Sequence, residues 1–318
     1  MMQAQNKYRE LCQSDADIPL FSQAWWLDAV AGPANWGVSL VEKSGEIVAA
    51  LPYTINRKWG MTKISQPVLT PFLGPWFKIY AQKNTQRFTI EKEYLETLFA
   101  QLPRHVLYRQ NWHYRAQNWL PLYWRGFEQF TQYSYVINDL SDLDAVWDNF
   151  ASRARTTIRS AQNKHELTIS NDISMTDFYS HNRQIFERQN IPVPYDLATV
   201  ERIHQATQQR QASKFFVAKD KEDNIHAIAY IIWDENSAHY LMNAVNPSFM
   251  HTGGQSLCLW EAIKFASSVT QSFDLGGSII APIEKFLRAF GGELKSFLGI
   301  RKVHNPLLKA YYQLRGIW

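Results

Sequence analysis

Apolar and polar positions along the chain change period repeatedly, from the two-residue rhythm of strands to the three-to-four-residue rhythm of helices. A short helix is expected within FSQAWWLDAVAG, where Ser22 caps it, Trp25, Trp26 and Ala29 lie along it, and Gly32-Pro33 stops it. Residues 38–41 and 46–55 read as the strands of a hairpin, with Lys43-Ser44-Gly45 as the turn and the glycine supplying a positive φ. The segment QPVLTPFLGPW, residues 66–76, is rich in Pro and Gly yet carries large apolar side chains, so it is expected to be an ordered, packed loop. A helix over residues 91–102, ended by Pro103, and strands over 106–109 and 127–137 complete the first half.

After the turn-rich residues 139–142 the pattern restarts. Helices are expected over 143–150 and 153–164, then a strand over 167–170 and helices over 176–188 and 197–208, the first of these pairing Phe178 with Ile185 and Tyr179 with Phe186. Strands over 214–218, 225–233 and 238–245 form a meander. A helix over 254–267 follows, with Leu259, Ala262, Ile263 and Ala266 as its core stripe, and a short strand over 272–275. The fold class is therefore α/β with mixed sheets, in two domains spanning residues 1–140 and 141–318.

Composition narrows the function classes. Of 318 residues, 46% are hydrophobic, enough for two cores of ordinary size. A formal charge of only +4 permits a mild attraction for phosphates or acidic glycans and gives no DNA-binding footprint. Cys12 and Cys258 stand far apart, and His226, His239 and His251 lack HxxxH or HExxH spacing, so neither a disulfide scaffold nor a metal site is expected. The N-terminal residues lack a signal-peptide pattern and there is no uncharged apolar run of about 20 residues, so a cytoplasmic protein with no integral membrane segment is expected. Leu307, Leu308, Tyr311, Tyr312, Ile317 and Trp318, interspersed with Lys309 and Arg315, are expected to form a last helix and tail docked on the body, a membrane surface being the alternative.

Two basic stretches also have a choice of readings. Arg109 to Arg125, with Trp112, His113, Tyr114, Trp119 and Trp124 interleaved, suits a glycan or single-stranded RNA, or else a packed strand and loop. Arg153, Arg155 and Arg159 with Lys164 form a helix face for tRNA or nucleotide phosphates, or a solvated face.

Chemistry concentrates between residues 241 and 301. In NAVNPSFMHTGGQSLCLWEAIKFA a strand ends at Val245 and a helix begins at Gly253-Gly254. Backbone N–H groups at a helix start attract anions, so Thr252, Gly253, Gly254, Gln255 and Ser256 are the candidate donor-binding residues, for a pyrophosphate or a terminal tRNA phosphate; an ordinary connection is the alternative. Downstream, a buried-looking strand Phe273-Asp274-Leu275 runs into Gly276-Gly277-Ser278 and a helix bearing Glu284, Lys285 and Arg288. Asp274 or Glu284 is suited to accept a proton from an amine and Ser278 to hold an oxyanion. Their structural alternatives are a turn cap for Asp274 and an i,i+4 helix pair for Glu284 with Arg288.

FDLGGS…IEKFLRAFGGEL resembles the D-F-E-G-S…I-E-x-F-x-R-x-F-G signature of FemAB-like transferases, in the branch of the GNAT superfamily called BioF2-like acetyltransferases. FSQAWWLDAVAGPANWGV and SRARTTIRSAQNKHELTIS resemble further stretches of that family, so the likeness spans nearly the whole chain. It implies two tandem GNAT-like domains, with donor and acceptor meeting in a cleft between them. The implied activity is transfer of an acyl group to an amine of a small-molecule, cell-envelope or polysaccharide precursor. Acyl-CoA is the preferred co-substrate and aminoacyl-tRNA the alternative, with no covalently bound cofactor. Carried over by residue, Asp274, Ser278 and Glu284 are the candidate catalytic positions, and Gly276, Gly277, Arg288 and Arg159 the candidate substrate-binding positions. Gly276 stands where relatives commonly have Glu, and Leu287 where peptidoglycan-branch members tend to have Lys. A non-catalytic glycan- or peptide-binding protein is the alternative those departures leave open.

Overall fold

The computed structural model describes residues 2–58, 60–81 and 83–314; Arg315, Ile317 and Trp318 of the expected C-terminal segment lie outside the described residues. One compact unit is formed by the chain up to Gln132 together with the segment from Ser296 onward, and a second by Tyr133–Lys295. Elements in chain order are α1 (Met2–Ser14), α2 (Ala24–Ala31), β1 (Trp36–Lys43), β2 (Glu46–Lys58), β3 (Met61–Ser65), β4 (Trp76–Phe77), α3 (Asn84–Ala100), β5 (Leu107–Asn111), α4 (Leu120–Tyr123) and β6 (Glu128–Ile137). They continue with α5 (Leu143–Asp148), α6 (Ser152–Asn163), β7 (Thr168–Ser170), α7 (Met175–Arg188), α8 (Leu197–Gln208), β8 (Ser213–Lys219), β9 (Ile225–Trp233) and β10 (Ser237–Val245). The last are α9 (Gly254–Ala266), β11 (Ser272–Asp274), α10 (Ala281–Arg288), β12 (Glu293–Val303) and α11 (Pro306–Leu314).

In the first unit the sheet order is β1-β2-β3-β5-β12, with β4 added to β2. The β1–β2 hairpin turns at Ser44 and Gly45, both with positive φ, so the turn is the left-handed two-residue type that matches strand twist. The Pro/Gly-rich 66–76 loop is packed as expected, with Phe72 and Leu73 buried and Leu73 bridged to Trp112. Of the basic-aromatic stretch, Trp112 and His113 are buried; a Cβ on Gly74 would lie 2.5 Å from the Trp112 ring. These two rings belong to the packed reading; Trp124 stays exposed.

One expectation near the N-terminus is corrected. Ser22 does not cap α2: its N–H is used by Pro19 O at 2.8 Å in a 3-10 turn over Leu20–Ser22, and the cap position falls to Gln23. At the C-terminus, α11 buries none of its residues and touches the unit through polar contacts, Lys63 Nζ to Tyr312 Oη at 3.1 Å and Lys309 to Glu128, while Leu307 and Leu314 stay exposed.

In the second unit the 133–137 part of β6 begins the order β6-β11-β10-β9-β8-β7. Helix starts follow local chemistry: Asp142 accepts from Asp144 and Ala145 N–H, Ser174 from Asp177 N–H, and Asp196 from Thr199 N–H. The α9 stripe of Leu259, Ala262, Ile263 and Ala266 is fully buried as expected, in one core with Ala227, Ala229 and Ile231 of β9 and Phe273 of β11. That crossover helix makes β10 and β11 parallel neighbours, and so builds the site.

Candidate active site

β10 and β11 pair over only three residues, Ser237 with Ser272, Ala238 with Phe273, and His239 with Asp274. Beyond them β10 continues along β9 to Val245, with a bulge between Tyr240 and Met242. The chain after Asp274 instead follows β6: Leu275 N–H donates to Tyr135 O at 2.9 Å, and Tyr135 N–H to Gly276 O at 3.0 Å. The parallel pair therefore forks just past His239 and Asp274. Ala238 and Phe273 join the α9 core, so strand alternation puts His239 and Asp274 together on the opposite side.

Asp274 is 1% exposed. Its Oδ1 accepts the Ser134 hydroxyl proton in a very short hydrogen bond and the Gly276 N–H at 2.8 Å. Its Oδ2 is buried with no hydrogen-bond partner among the described residues, and His239 Nδ1 lies 3.9 Å away. Burial pushes the Asp274 carboxyl up to about 6 against the opposing pull of Ser134 and Gly276, and burial pushes the His239 imidazole down to about 3. At neutral pH the fork thus holds a carboxylate, one oxygen uncommitted, beside a neutral imidazole. A rise of this size corresponds to about 3 kcal/mol against the charged form. Ser134→Ala removes a hydrogen bond that favours the carboxylate, so the acid limb of a pH–rate profile is expected to move up by roughly one to two units; an unmoved limb would detach Ser134 from the reacting group.

The following loop is set by two glycines with different reasons. Gly276 has φ +80° and open space around it, whereas a Cβ on Gly277 would lie 1.7 Å from Tyr133 O. Ser278 Oγ accepts the Ile280 N–H at 3.0 Å, which leaves its own proton to donate. Glu284 accepts from Tyr135 Oη at 2.5 Å and from Arg288 Nε at 2.8 Å. Those two donors, Arg288 first, hold its carboxyl below the usual range. Adjacent β6 residues, Ser134 and Tyr135, thus serve Asp274 and Glu284 separately. Sequence reasoning missed Ser134 and Tyr135, because nothing in QYSYVI marks them until β6 is paired with β11. It weighed His239 only to set metal binding aside, and did not foresee its place beside Asp274.

At the other candidate loop, α9 starts at Gly253 without a side-chain cap. Gly253 has φ +79° and a Cβ there would lie 2.7 Å from Thr157 Cγ2; one on Gly254 would lie 3.1 Å from His226 Cβ. Both glycines therefore have packing reasons, against α6 and against the sheet. Thr252 Oγ1 donates to Phe249 O at 2.8 Å and lies 3.0 Å from His226 Nδ1, and His226 Nε2 lies 3.0 Å from Asp220 Oδ2. Gln255 donates to Tyr240 Oη at 3.4 Å, and Ser256 is buried. Arg159, on α6, lies with its guanidinium 5.5 Å from the Trp147 ring centroid.

A separate cleft of about 660 Å³ is lined by Asp139, Asp142, Asp148, Asn149 and Glu293. Its acids are engaged: Asp139 with Ser141 N–H, Asp142 in the α5 cap, Asp148 with Arg155, and Glu293 with Asn138 and Lys295. It is not the candidate site.

Residues 148–281, which include the β10–β11 fork and α9, match the family model described as acetyltransferase (GNAT) domain. Residues 148–281 therefore carry an acetyltransferase-type GNAT domain, and the chain has a FemAB-like fold of two GNAT-like domains. It is similar to the crystal structure of FemX (TM-score 0.67, 13% identity, 98% of each chain covered). It is also similar to a tandem GNAT protein from the clavulanic acid biosynthesis pathway (TM-score 0.53, 11% identity, 96% of this chain and 95% of that one). A third similar structure is the C-terminal domain of a putative lysylphosphatidylglycerol synthetase from Agrobacterium fabrum (TM-score 0.53, 12% identity, 98% and 95%). No curated protein matches the chain. Among the described residues no helix is long and apolar enough to cross a membrane.

Proposed function

We propose that this chain is a cytoplasmic N-acyltransferase of the BioF2-like type, moving an acyl group from acyl-CoA to an amine of a cell-envelope or polysaccharide precursor. The observation that carries the reading is the Asp274 carboxylate, buried at the β10–β11 fork with one oxygen uncommitted. An ammonium is no nucleophile until it loses a proton. Asp274 takes that proton through a water, the amine nitrogen attacks the thioester carbonyl carbon, and the C–N bond forms. The C–S bond then breaks, and the departing thiolate takes the second proton of the attacking nitrogen, leaving a neutral amide and the free CoA thiol.

Ser278 donates to the carbonyl oxygen as it becomes an oxyanion. Glu284, committed to Tyr135 and Arg288, positions the acceptor through Gly276, Gly277 and Arg288 rather than moving protons. Thr252, Gly253, Gly254, Gln255 and Ser256 hold the donor's phosphates at the uncapped start of α9, with Arg159 as a more distant cation. FemX and the lysylphosphatidylglycerol synthetase domain support an envelope-directed acceptor by likeness of fold.

Calorimetric titration with CoA, followed by transfer assays with acetyl-CoA and with aminoacyl-tRNA, tests the reading. CoA is expected to bind and acetyl-CoA to support transfer to amines. Transfer from aminoacyl-tRNA alone would replace the donor assignment, and binding of neither would remove the catalytic reading.

A further inference from the structure

The sequence reading left Arg109 as the start of a basic-aromatic stretch, but the rings after it, Trp112 and His113, are in the core of the first unit. Arg109 itself points elsewhere. On β5 it is the register partner of Arg301 on β12, so two guanidinium-bearing side chains stand directly opposite on paired strands, an arrangement that repulsion disfavours.

Both guanidinium carbons lie 5.4 Å from the centroid of one ring, Phe130. That ring rests on Gly299, where a Cβ would come within 2.1 Å of Phe130 Cζ, so the ring's seat is fixed by the absence of a side chain. Glu128 accepts from Arg301 at 3.2 Å and is shared with Lys309, also at 3.2 Å. Among the described residues Arg109 has no carboxylate partner. Partial desolvation and then the Arg301 charge push the guanidinium of the solvent-exposed Arg109 below its ordinary range. Cation–π contact offsets part of such repulsion, about 0.5–1 kcal/mol at an exposed ring, but a glutamine or a serine at position 109 would avoid it altogether.

We propose that the Arg109–Arg301 pair over Phe130 is an oxyanion-binding site of the first unit, taking a phosphoryl or carboxylate group of a ligand. A guanidinium fork presents paired N–H donors to an oxyanion; Arg109 supplies that fork, and the Arg301 charge beside it adds attraction for the same group. The site is independent of the transfer chemistry assigned to the second unit.

The test is thermal unfolding and calorimetric titration of the full chain at constant ionic strength, with inorganic pyrophosphate and with glutarate as probes, in wild type and Arg109→Gln. Wild type is expected to bind at least one probe and to unfold at higher temperature with it. A stronger response to pyrophosphate assigns a phosphoryl ligand, and to glutarate a carboxylate. In Arg109→Gln binding is expected to weaken at least tenfold, while the unliganded protein unfolds at the same or a higher temperature because a like-charge contact is gone. Unchanged binding in the variant, absence of binding in wild type, or a variant that unfolds at lower temperature without ligand would overturn the proposal. The last result would make Arg109 a structural residue.

Discussion

Asp274→Asn is expected to lower kcat/KM by about 10²–10⁴, the usual worth of a positioned proton acceptor, while the protein stays folded. The side chains are nearly the same shape. The amide oxygen can still accept from Ser134 and Gly276, as Oδ1 does now, and the buried position no longer carries a charge. The effect on stability has a definite sign. With a folded-state value of about 6 against about 3.9 unfolded, the native wild type keeps a proton that the unfolded chain releases. Wild-type stability therefore falls as pH rises from about 4 to about 6 and is flat above that window, by an amount on the order of 3 kcal/mol at most.

The variant loses this component, so its stability relative to wild type should rise across the same window. His239, held down to about 3, acts in the opposite direction: the unfolded chain takes up the proton first, so stability increases with pH up to about 6.5. Urea unfolding at several pH values, beside initial rates, reads both quantities. Full activity in the variant would remove Asp274 from the reaction.

Gly277→Ala should be the most damaging single-methyl change in the site loop, costing about 3 kcal/mol or more. The new Cβ would lie 1.7 Å from the Tyr133 carbonyl oxygen and 2.7 Å from its carbon. Both are backbone atoms of β6, the strand that also carries Ser134 and Tyr135, so no side-chain rotation can relieve the clash. Overpacking ordinarily costs about 1–3 kcal/mol where neighbours can shift; here the shift would have to break the pairing of β6 with β11 and with it the Ser134–Asp274 contact. Gly276→Ala is the natural comparison, since no atom lies within 4 Å and only its φ of +80° is unfavourable, a cost of about 1 kcal/mol. Unfolding midpoints should separate the two, and equal midpoints would show that the loop can move away from β6.

The residues of the candidate site were legible to different degrees. Asp274 stood out because it lay in a buried-looking strand running into a Gly-Gly turn, and the likeness to FemAB-like signatures marked Ser278, Glu284 and Arg288. The turn-cap reading of Asp274 and the helix-pair reading of Glu284 both hold as contacts, through Gly276 N–H and Arg288 Nε. Neither contact uses Asp274 Oδ2. Ser134 and Tyr135 carried no signal, because they lie on a strand some 140 and 149 positions away from the groups they bind. The glycines at 253 and 254 were read for what they would let in. Their positions are fixed by what they pack against, Thr157 and His226, contacts that local pattern cannot register.

By itself the sequence determined the local elements: the β8–β10 meander, the α9 stripe and the capped starts of α5, α7 and α8 all follow from periodicity and side-chain hydrogen bonding within a few residues. It did not announce α1, which buries only Gln5 and Tyr8, or β3, whose half-buried positions blur the alternation. Tertiary structure alone decided which strands meet. β5 with β12 sets Arg109 against Arg301, and β10 with β11 sets His239 beside Asp274. Strand pairing is a choice among distant segments of similar composition, made by which pairing buries the most apolar surface without leaving backbone groups unsatisfied. A charge or a carboxylate acquires its chemistry only from the neighbour that choice supplies.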